Sequence, residues 1–283
     1  GGGSTTTGSG GAGGAGGGAG VTDPQVIMPR TSIDASQLAV IVNDKDPQSV
    51  AVAAHYVKAR SIPAANVVTL SFDVKSVLTE ADFGPLKQQI DAALGPDIQA
   101  LALTWTQPHR VDCMSVTSAF ALGFDKKYCN TTGMSCGATA AVKYFNSDSS
   151  QPFSDHQLRP TMAIAASTEA EAIQLIDRGV AADKTFPNGD GWFVRTTDKA
   201  RSVRFNNFVN TLSLFDHSGG LKLTYVDNAD GMGSNLIEDQ KDVMFYFTGL
   251  AKVPNIETNS YRPGAVADHL TSFGGKIPSG GQM

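Results

Sequence analysis

Residues 38–43, Leu-Ala-Val-Ile-Val-Asn, are a short apolar run that ends in a polar residue, as a buried strand of a parallel sheet does. Asp46 and Pro47 follow, and they suit the N-cap and the first position of a helix. Further apolar runs at 66–72 and 98–106 enclose an amphipathic helical pattern at 79–94. This alternation of strand and helix with short connections predicts a doubly wound, mostly parallel α/β sheet.

The same alternation resumes in the second part of the chain. The predicted strands are 161–166, 192–194, 221–226 and 242–248, and the predicted helices are 168–183 and 201–214. The sequence shows no internal repeat. We therefore predict one α/β domain over residues 35–283, of flavodoxin-like type, with a loop-rich, cysteine-containing insertion at about 123–160.

The first residues have a different composition. Residues 1–20 hold 12 of the 30 glycines and carry no charge and no apolar side chain larger than alanine. Such a segment cannot bury enough surface to offset the entropy of ordering, so residues 1–22 are predicted to be a disordered tether. Two interpretations are open: the processed end of a lipid-anchored exported protein, or an unanchored tail.

Composition limits the classes of partner. The formal net charge is −5, with 22 Lys and Arg against 27 Asp and Glu, which argues against nucleic acid as a partner. No apolar run approaches 18 residues, so contact with a membrane is expected only through an N-terminal lipid anchor. No metal or cofactor motif is recognised: the matches to G-x-G-x-x-G fall in the tether, where no strand precedes them.

The three cysteines, Cys113, Cys129 and Cys136, fall within 24 residues. A disulfide between Cys129 and Cys136 is predicted, because it would close the polar loop between them and suits an exported protein. Cys113 is then either buried and inert or paired outside this chain.

In an open α/β sheet, ligands bind beyond the carboxyl ends of the strands. His269 is the candidate general base, with Asp268 beside it in the final loop, because an imidazole titrates near neutral pH. The alternative is that His269 caps a helix or bonds a backbone carbonyl. The candidate ligand-binding residues selected by the same rule are Asn43, Ser49, Thr106, His109, Thr248, Gly249 and Ser272.

Several blocks resemble a family of exported bacterial proteins of unknown function that is frequent in myxobacteria. They are Val40-Ile41-Val42-Asn43, residues 60–68, residues 175–181 and, most specifically, residues 267–275. The resemblance implies export, as an outer-membrane or cell-surface lipoprotein or an extracellular protein. The family pattern continues beyond Met283 with a strand and a Cys-bearing segment, so a C-terminal fragment of the same precursor is an expected partner.

The order of elements is also similar to that of caspase-like (gingipain-type) cysteine peptidases. In those enzymes the comparable strand ends in Ser-Gly-His-Gly, which supplies the catalytic histidine. Here the run Phe245–Ala251 places Leu250 at that position, and a leucine cannot transfer a proton. The resemblance therefore implies the fold without its usual catalytic dyad.

Three functions follow as expectations. The first is an exported, surface-tethered binding or structural module with no established catalysis. The second is a cysteine peptidase in which His269 serves a nucleophile beyond residue 283. The third is a subunit of a larger extracellular assembly that contacts further copies or other proteins.

Overall fold

Eleven strands and six α-helices are found in the part of the chain that the structure, a computed structural model, describes: residues 32–130, 139–215 and 220–277. The predicted tether and Cys136 lie outside these residues. The strands are β1 (Leu38–Asn43), β2 (Val67–Leu70), β3 (Val77–Leu78), β4 (Ala100–Leu103), β5 (Arg110–Val111), β6 (Met114–Ser115), β7 (Thr161–Ala163), β8 (Gly189–Arg195), β9 (Leu221–Asp227), β10 (Val243–Thr248) and β11 (Tyr261–His269). The α-helices are α1 (Pro47–Arg60), α2 (Glu80–Ala93), α3 (Val116–Leu122), α4 (Pro152–His156), α5 (Glu169–Ala181) and α6 (Phe205–Leu214).

Side chains at the strand-to-helix turns determine where the longer helices begin. Asp46 accepts a hydrogen bond from the Gln48 N–H at 3.0 Å at the start of α1, and Pro47 takes the first helical position. Helix α5 opens with a capping box in which Thr168 and Glu171 satisfy each other's backbone N–H groups. Polar residues that follow the strands thus start the helices that cover the sheets.

The strands form two four-stranded parallel sheets and a small third sheet. The first large sheet has the order β2-β1-β4-β7 and the second the order β11-β10-β8-β9. All strand pairs within these two sheets are parallel. The prediction of a doubly wound, mostly parallel α/β fold is therefore confirmed.

The two large sheets have the same topology. In each, the first strand (β1 or β8) lies between the second (β2 or β9) and the third (β4 or β10), and the fourth (β7 or β11) pairs with the third. A helix links the first strand to the second in both halves, α1 in one and α6 in the other. The two sheets therefore share their strand order and orientation, although the side chains that build them differ and the sequence shows no internal repeat.

Each half has its own apolar core. The core of the first half is built around Trp105, whose ring meets Phe72 and Phe120 edge to face, with centroids 5.3 and 5.8 Å apart. In the second half, Phe193 of β8 stacks on Phe247 of β10 with centroids 5.4 Å apart. Helix α5 joins the halves, because its buried Ala172 and Ile176 pack against α1 while the same helix also contacts β11.

The final segment of the domain is a strand rather than the expected loop. Pro263-Gly264 interrupts the apolar pattern of residues 261–269, and these two residues would ordinarily end a strand. The structure accommodates them through a register shift, after which Val266, Ala267 and His269 continue the pairing with β10. His269 and Asp268 therefore lie at the carboxyl end of β11.

The described helices are too short or too polar to cross a bilayer.

Candidate ligand-binding cleft

The carboxyl end of β1 is held by a buried hydroxyl network. Ser49 accepts the Asn43 N–H at 3.0 Å, and its hydroxyl lies 2.9 Å from that of Thr104. Thr104 in turn donates to the Ile41 carbonyl at 3.1 Å. Asn43 and Ser49, which were predicted to bind a ligand, have no exposed surface. Their hydrogen bonds stabilise the turn that starts α1.

Thr106 and His109, which follow β4, lie at the same edge. The Thr106 hydroxyl donates to the Ala166 carbonyl at 2.8 Å and so ties the loop after β4 to the loop after β7. His109 is partly exposed, but its Nδ1 is buried without a hydrogen-bond partner among the described residues. Burial, and then the positive charges of Arg110 and Lys276, lower the pKa of His109 below its ordinary value. The structure does not bring Thr106 or His109 to His269 through any described hydrogen bond.

A similar hydroxyl network lies at the carboxyl end of β8. Ser202 accepts the Thr196 N–H at 3.0 Å, and the two hydroxyls are 2.9 Å apart. Thr196 donates to the Gly249 carbonyl at 2.6 Å, which ties β8 to the end of β10. A Cβ on Gly249 would overlap the carbonyl group of Arg201 and come within 2.9 Å of the Ser202 nitrogen. Gly249 is therefore required for the close approach of these two segments.

His269 and Asp268 do not form a pair. Successive residues of a strand point to opposite faces, and each of these side chains has its own partner. Asp268 forms an ion pair with Arg204, just before α6. His269 Nδ1 lies 3.2 Å from the Leu250 carbonyl, which can only accept, so Nδ1 carries the proton and Nε2 is the acceptor of the neutral ring. The predicted alternative in which His269 bonds a backbone carbonyl is thus the one observed, while Ser272 is exposed in the segment that follows.

A cleft of about 910 Å³ lies beside β11. One wall comes from α5, through Leu175 and Arg178, and the floor from β10 and β11. The remaining lining residues are Gly179, Tyr246, Thr248, Val253, Ile256, Glu257, Asn259, Tyr261, Arg262, Gly264, Ala265, Ala267, Asp268, His269, Gly274 and Ile277. The cleft therefore brings together Thr248, Asp268 and His269 from the predicted site. Its other lining residues were not predicted, because β11 was not recognised as a strand.

Thr248 is the distinctive polar group of this cleft. Its side chain is 3% exposed, and its hydroxyl has no hydrogen-bond partner among the described residues. A buried hydroxyl without a partner costs about 1–3 kcal/mol, so such groups in native proteins call for an explanation. Tyr246 is on the same face of β10, and burial raises its pKa to about 12, so its phenol stays neutral at physiological pH.

The cysteine pairing differs from the prediction. Cys129 is bonded to Cys113, with Cα atoms 5.7 Å apart, and not to Cys136. The predicted pair was chosen because a short polar loop separates its members in sequence. The fold brings the turn after β5 against the segment after α3, and so places Cys113 beside Cys129. No free thiol is found among the described residues, since Cys136 lies outside them.

Nothing in the described residues groups three or more His, Cys, Asp or Glu side chains in a way that would hold a metal ion. No protein-family model, curated protein or solved structure matches the chain, so the functional argument depends on the geometry of the cleft.

Proposed function

We propose that the protein is a binding module whose ligand occupies the cleft beside β11. The observation that carries this proposal is the buried, unpartnered hydroxyl of Thr248 in a cleft of about 910 Å³ with largely apolar walls. Ligand sites in proteins are typically apolar concavities with a few polar groups that orient the ligand. A ligand that donates to or accepts from the Thr248 hydroxyl would remove the cost of leaving it unpaired.

A binding role needs no catalytic pair, and the described residues do not assemble one around His269. Asp268 forms an ion pair with Arg204, and both described cysteines are in the disulfide. This arrangement therefore supports the binding of a ligand more directly than a covalent reaction with it.

The setting that we propose is the cell surface. The disulfide Cys113–Cys129 suits an oxidising compartment, and the resemblance to exported bacterial proteins points the same way. Residues 1–22 would then be the tether between a lipid anchor and the domain. Intact mass of the native protein tests this part: a lipid-sized increment at the N-terminus is expected, and a protein isolated from the cytoplasm without one contradicts it.

The binding role is tested with a library of small organic fragments and the amide NMR spectrum of the whole chain. Fragments that bind should shift the amide signals of Thr248 and Ala267 first. Thr248→Val keeps the shape of the side chain and removes its hydroxyl, so it should lower the affinity of the polar fragments among those that bind. Thr224→Val in β9 is the matched control, because it makes the same change at the opposite edge of the same sheet. A screen in which no fragment shifts signals at the cleft contradicts the proposal.

A second candidate is a cysteine peptidase, and the tautomer of His269 favours it. With Nδ1 donating to Leu250, Nε2 is left to act as a proton acceptor beside the cleft. The nucleophile would come from a segment beyond Met283. The test uses the full-length precursor with Cys136→Ser, so that this cysteine cannot react with the probe. Covalent labelling by a cysteine-reactive probe, lost in His269→Ala, would establish this function, and the absence of labelling would exclude it.

A further inference from the structure

The cleft lies over one face of the second large sheet. Its floor is formed by Tyr246 and Thr248 of β10 and by Ala267 and His269 of β11. In the register of these parallel strands, Thr248 lies directly beside His269. Paired residues of a parallel sheet point to the same face, and adjacent strands are about 4.8 Å apart. The two side chains are therefore neighbours at the carboxyl ends of their strands, where open α/β sheets bind ligands.

Thr248 and His269 offer complementary hydrogen-bonding groups. The Thr248 hydroxyl, which has no partner among the described residues, can donate one hydrogen bond and can also accept. His269 Nδ1 donates to the Leu250 carbonyl at 3.2 Å, so Nε2 of the neutral ring can only accept. A ligand group that bonds to both must donate to Nε2 and can accept from the hydroxyl. A hydroxyl or a primary carboxamide does both, whereas a carboxylate has no proton to donate and an ammonium group has no lone pair to accept.

Two further polar side chains line the cleft and are buried, and both already have partners. Asn259 donates to the Ile237 carbonyl at 3.0 Å and accepts the Gln240 N–H at 3.0 Å. The Tyr246 hydroxyl accepts the Ile237 N–H at 3.4 Å. Polar recognition at the floor of the cleft is therefore left to the threonine and histidine at the carboxyl ends of β10 and β11.

The charges of the lining balance one another. The cations are Arg178 and Arg262, and the anions are Glu257 and Asp268. Arg262 and Asp268 are each held in an ion pair with a residue outside the lining. Arg178 and Glu257 are exposed, and solvent screens their interactions. A charged ligand group on the floor would thus lose its hydration without gaining a buried counter-charge, which is costly.

The walls of the cleft suit an apolar body. Leu175 of α5 lies in one wall, and Val253 and Ile256 are apolar residues of the lining that come from the segment between β10 and β11. The volume of about 910 Å³ is within the range of about 300–1,000 Å³ that is typical of small-molecule sites. Burial of apolar ligand surface against these side chains would supply most of the affinity.

We propose that the cleft binds an uncharged ligand with an apolar body and a head group that both donates and accepts hydrogen bonds, a primary carboxamide or a hydroxyl. The head group donates to His269 Nε2 and accepts from the Thr248 hydroxyl. This assignment rests on the binding role proposed above and adds the chemical class of the ligand.

The first measurement uses the whole chain and four compounds that share a phenyl ring: benzamide, benzyl alcohol, benzoate and benzylamine. At pH 8 a histidine ring is ordinarily neutral, a carboxylate is an anion and an alkylamine is a cation. Affinities are read from the shifts of the Thr248 and Ala267 amide signals. Benzamide and benzyl alcohol should each bind at least about tenfold more tightly than either ion, because only the ions must be desolvated without a counter-charge.

The second measurement assigns the two hydrogen bonds. N,N-dimethylbenzamide keeps the carbonyl of benzamide but has no N–H, so it should bind about threefold to tenfold more weakly. In His269→Leu the acceptor is absent, and the two amides should bind with equal affinity. Thr248→Val should weaken both amides by a similar factor, because both keep the carbonyl that accepts from the hydroxyl. His156→Leu is the matched control, because His156 lies in α4 of the first half, and it should preserve the difference between the amides.

Three results would overturn this class of ligand and leave the binding role intact. The first is benzoate or benzylamine binding as tightly as the neutral compounds. The second is a loss on dimethylation that is unchanged in His269→Leu. The third is that neither neutral compound binds while other fragments still occupy the cleft. If no compound of any kind shifts the signals of the cleft, the proposed function itself is overturned.

Discussion

Ser49 and Ser202 occupy equivalent positions in the two halves of the molecule. Ser49 lies six residues after Asn43, the last residue of β1, and Ser202 lies six residues after Thr196, which directly follows β8. Each serine accepts that residue's N–H at 3.0 Å. Each also places its hydroxyl 2.9 Å from a threonine hydroxyl, that of Thr104 in the first half and that of Thr196 in the second. Both side chains are buried. The shared topology of the two sheets therefore extends to the chemistry of the turn that follows the first strand, although the flanking sequences differ.

Replacing either serine by alanine should destabilise the fold by a similar amount. Each change leaves a buried backbone N–H and a buried threonine hydroxyl without this partner, and an unsatisfied buried group costs about 1–3 kcal/mol. Urea unfolding of Ser49→Ala and Ser202→Ala measures the loss. Ser213→Ala is the control, because Ser213 is exposed and bonds only within α6, and it should change the free energy of unfolding by less than about 0.5 kcal/mol. A difference of more than twofold between the two buried serines would show that the turns are not equivalent.

Two glycine substitutions should distinguish a position where backbone segments approach closely from one where they do not. Gly249→Ala should cost at least about 2 kcal/mol, because the added Cβ overlaps the Arg201 carbonyl and the backbone must move. Gly84 lies in the interior of α2 with no other side chain within 4 Å of an added Cβ, but Pro85 follows it and disfavours a helical residue with a Cβ. The helix propensity gained in Gly84→Ala is thus offset, and we expect a change of less than about 0.5 kcal/mol. The midpoint of thermal unfolding reports both effects, and a neutral Gly249→Ala would contradict the packing described at the end of β10.

Local patterns were sufficient to predict the elements that carry strong local signals. The run Leu38–Val42 is apolar throughout, and polar residues that include the N-cap Asp46 follow it, so both β1 and the start of α1 could be placed from sequence. The strand β10 was equally evident from its continuous apolar run. In these cases the residues that determine the element lie within it.

The candidate site was predicted only in part, because it depends on contacts between distant segments. The strand β11 was hidden by Pro263-Gly264, and only its pairing with β10 shows that it continues to His269. The orphaned hydroxyl of Thr248 cannot be read from sequence, since it results from what surrounds the side chain. The common strand order of the two sheets could not be predicted for a related reason: strand order can recur while the side chains that build each core differ.

The cysteine pairing can be checked chemically. Tryptic cleavage separates Cys113 from Cys129 and Cys136, and cyanogen bromide cleavage at Met134 separates the last two. We expect a disulfide-linked peptide pair that contains Cys113 and Cys129, with Cys136 alkylated in the absence of reductant. The disulfide joins residues 16 positions apart, so its removal in Cys113→Ser should lower the free energy of unfolding in urea by about 3 kcal/mol. Cys136→Ser is the control and should leave the unfolding curve unchanged, and a Cys129–Cys136 link in the peptide map would contradict the structure.

His109 should make stability depend on pH below neutrality. Burial and the nearby charges of Arg110 and Lys276 lower the pKa of His109 in the folded protein, whereas in the unfolded chain it titrates near 6.5. At pH values above 6.5 both states are neutral and the full stability is present. As the pH falls below 6.5, the unfolded state takes up a proton that the folded state does not yet bind, so the free energy of unfolding falls until the folded pKa is passed.

Between pH 7.5 and 5, the free energy of unfolding of His109→Gln should therefore depend less steeply on pH than that of the unmodified chain. The surface carboxylates titrate in both proteins, so their contribution is the same in the two profiles. His55→Gln is a useful comparison, because His55 Nε2 lies 2.6 Å from the Asp177 carboxylate, whereas positive charges surround His109. An NMR titration in which the His109 ring protonates at or above 6.5 would contradict this prediction directly.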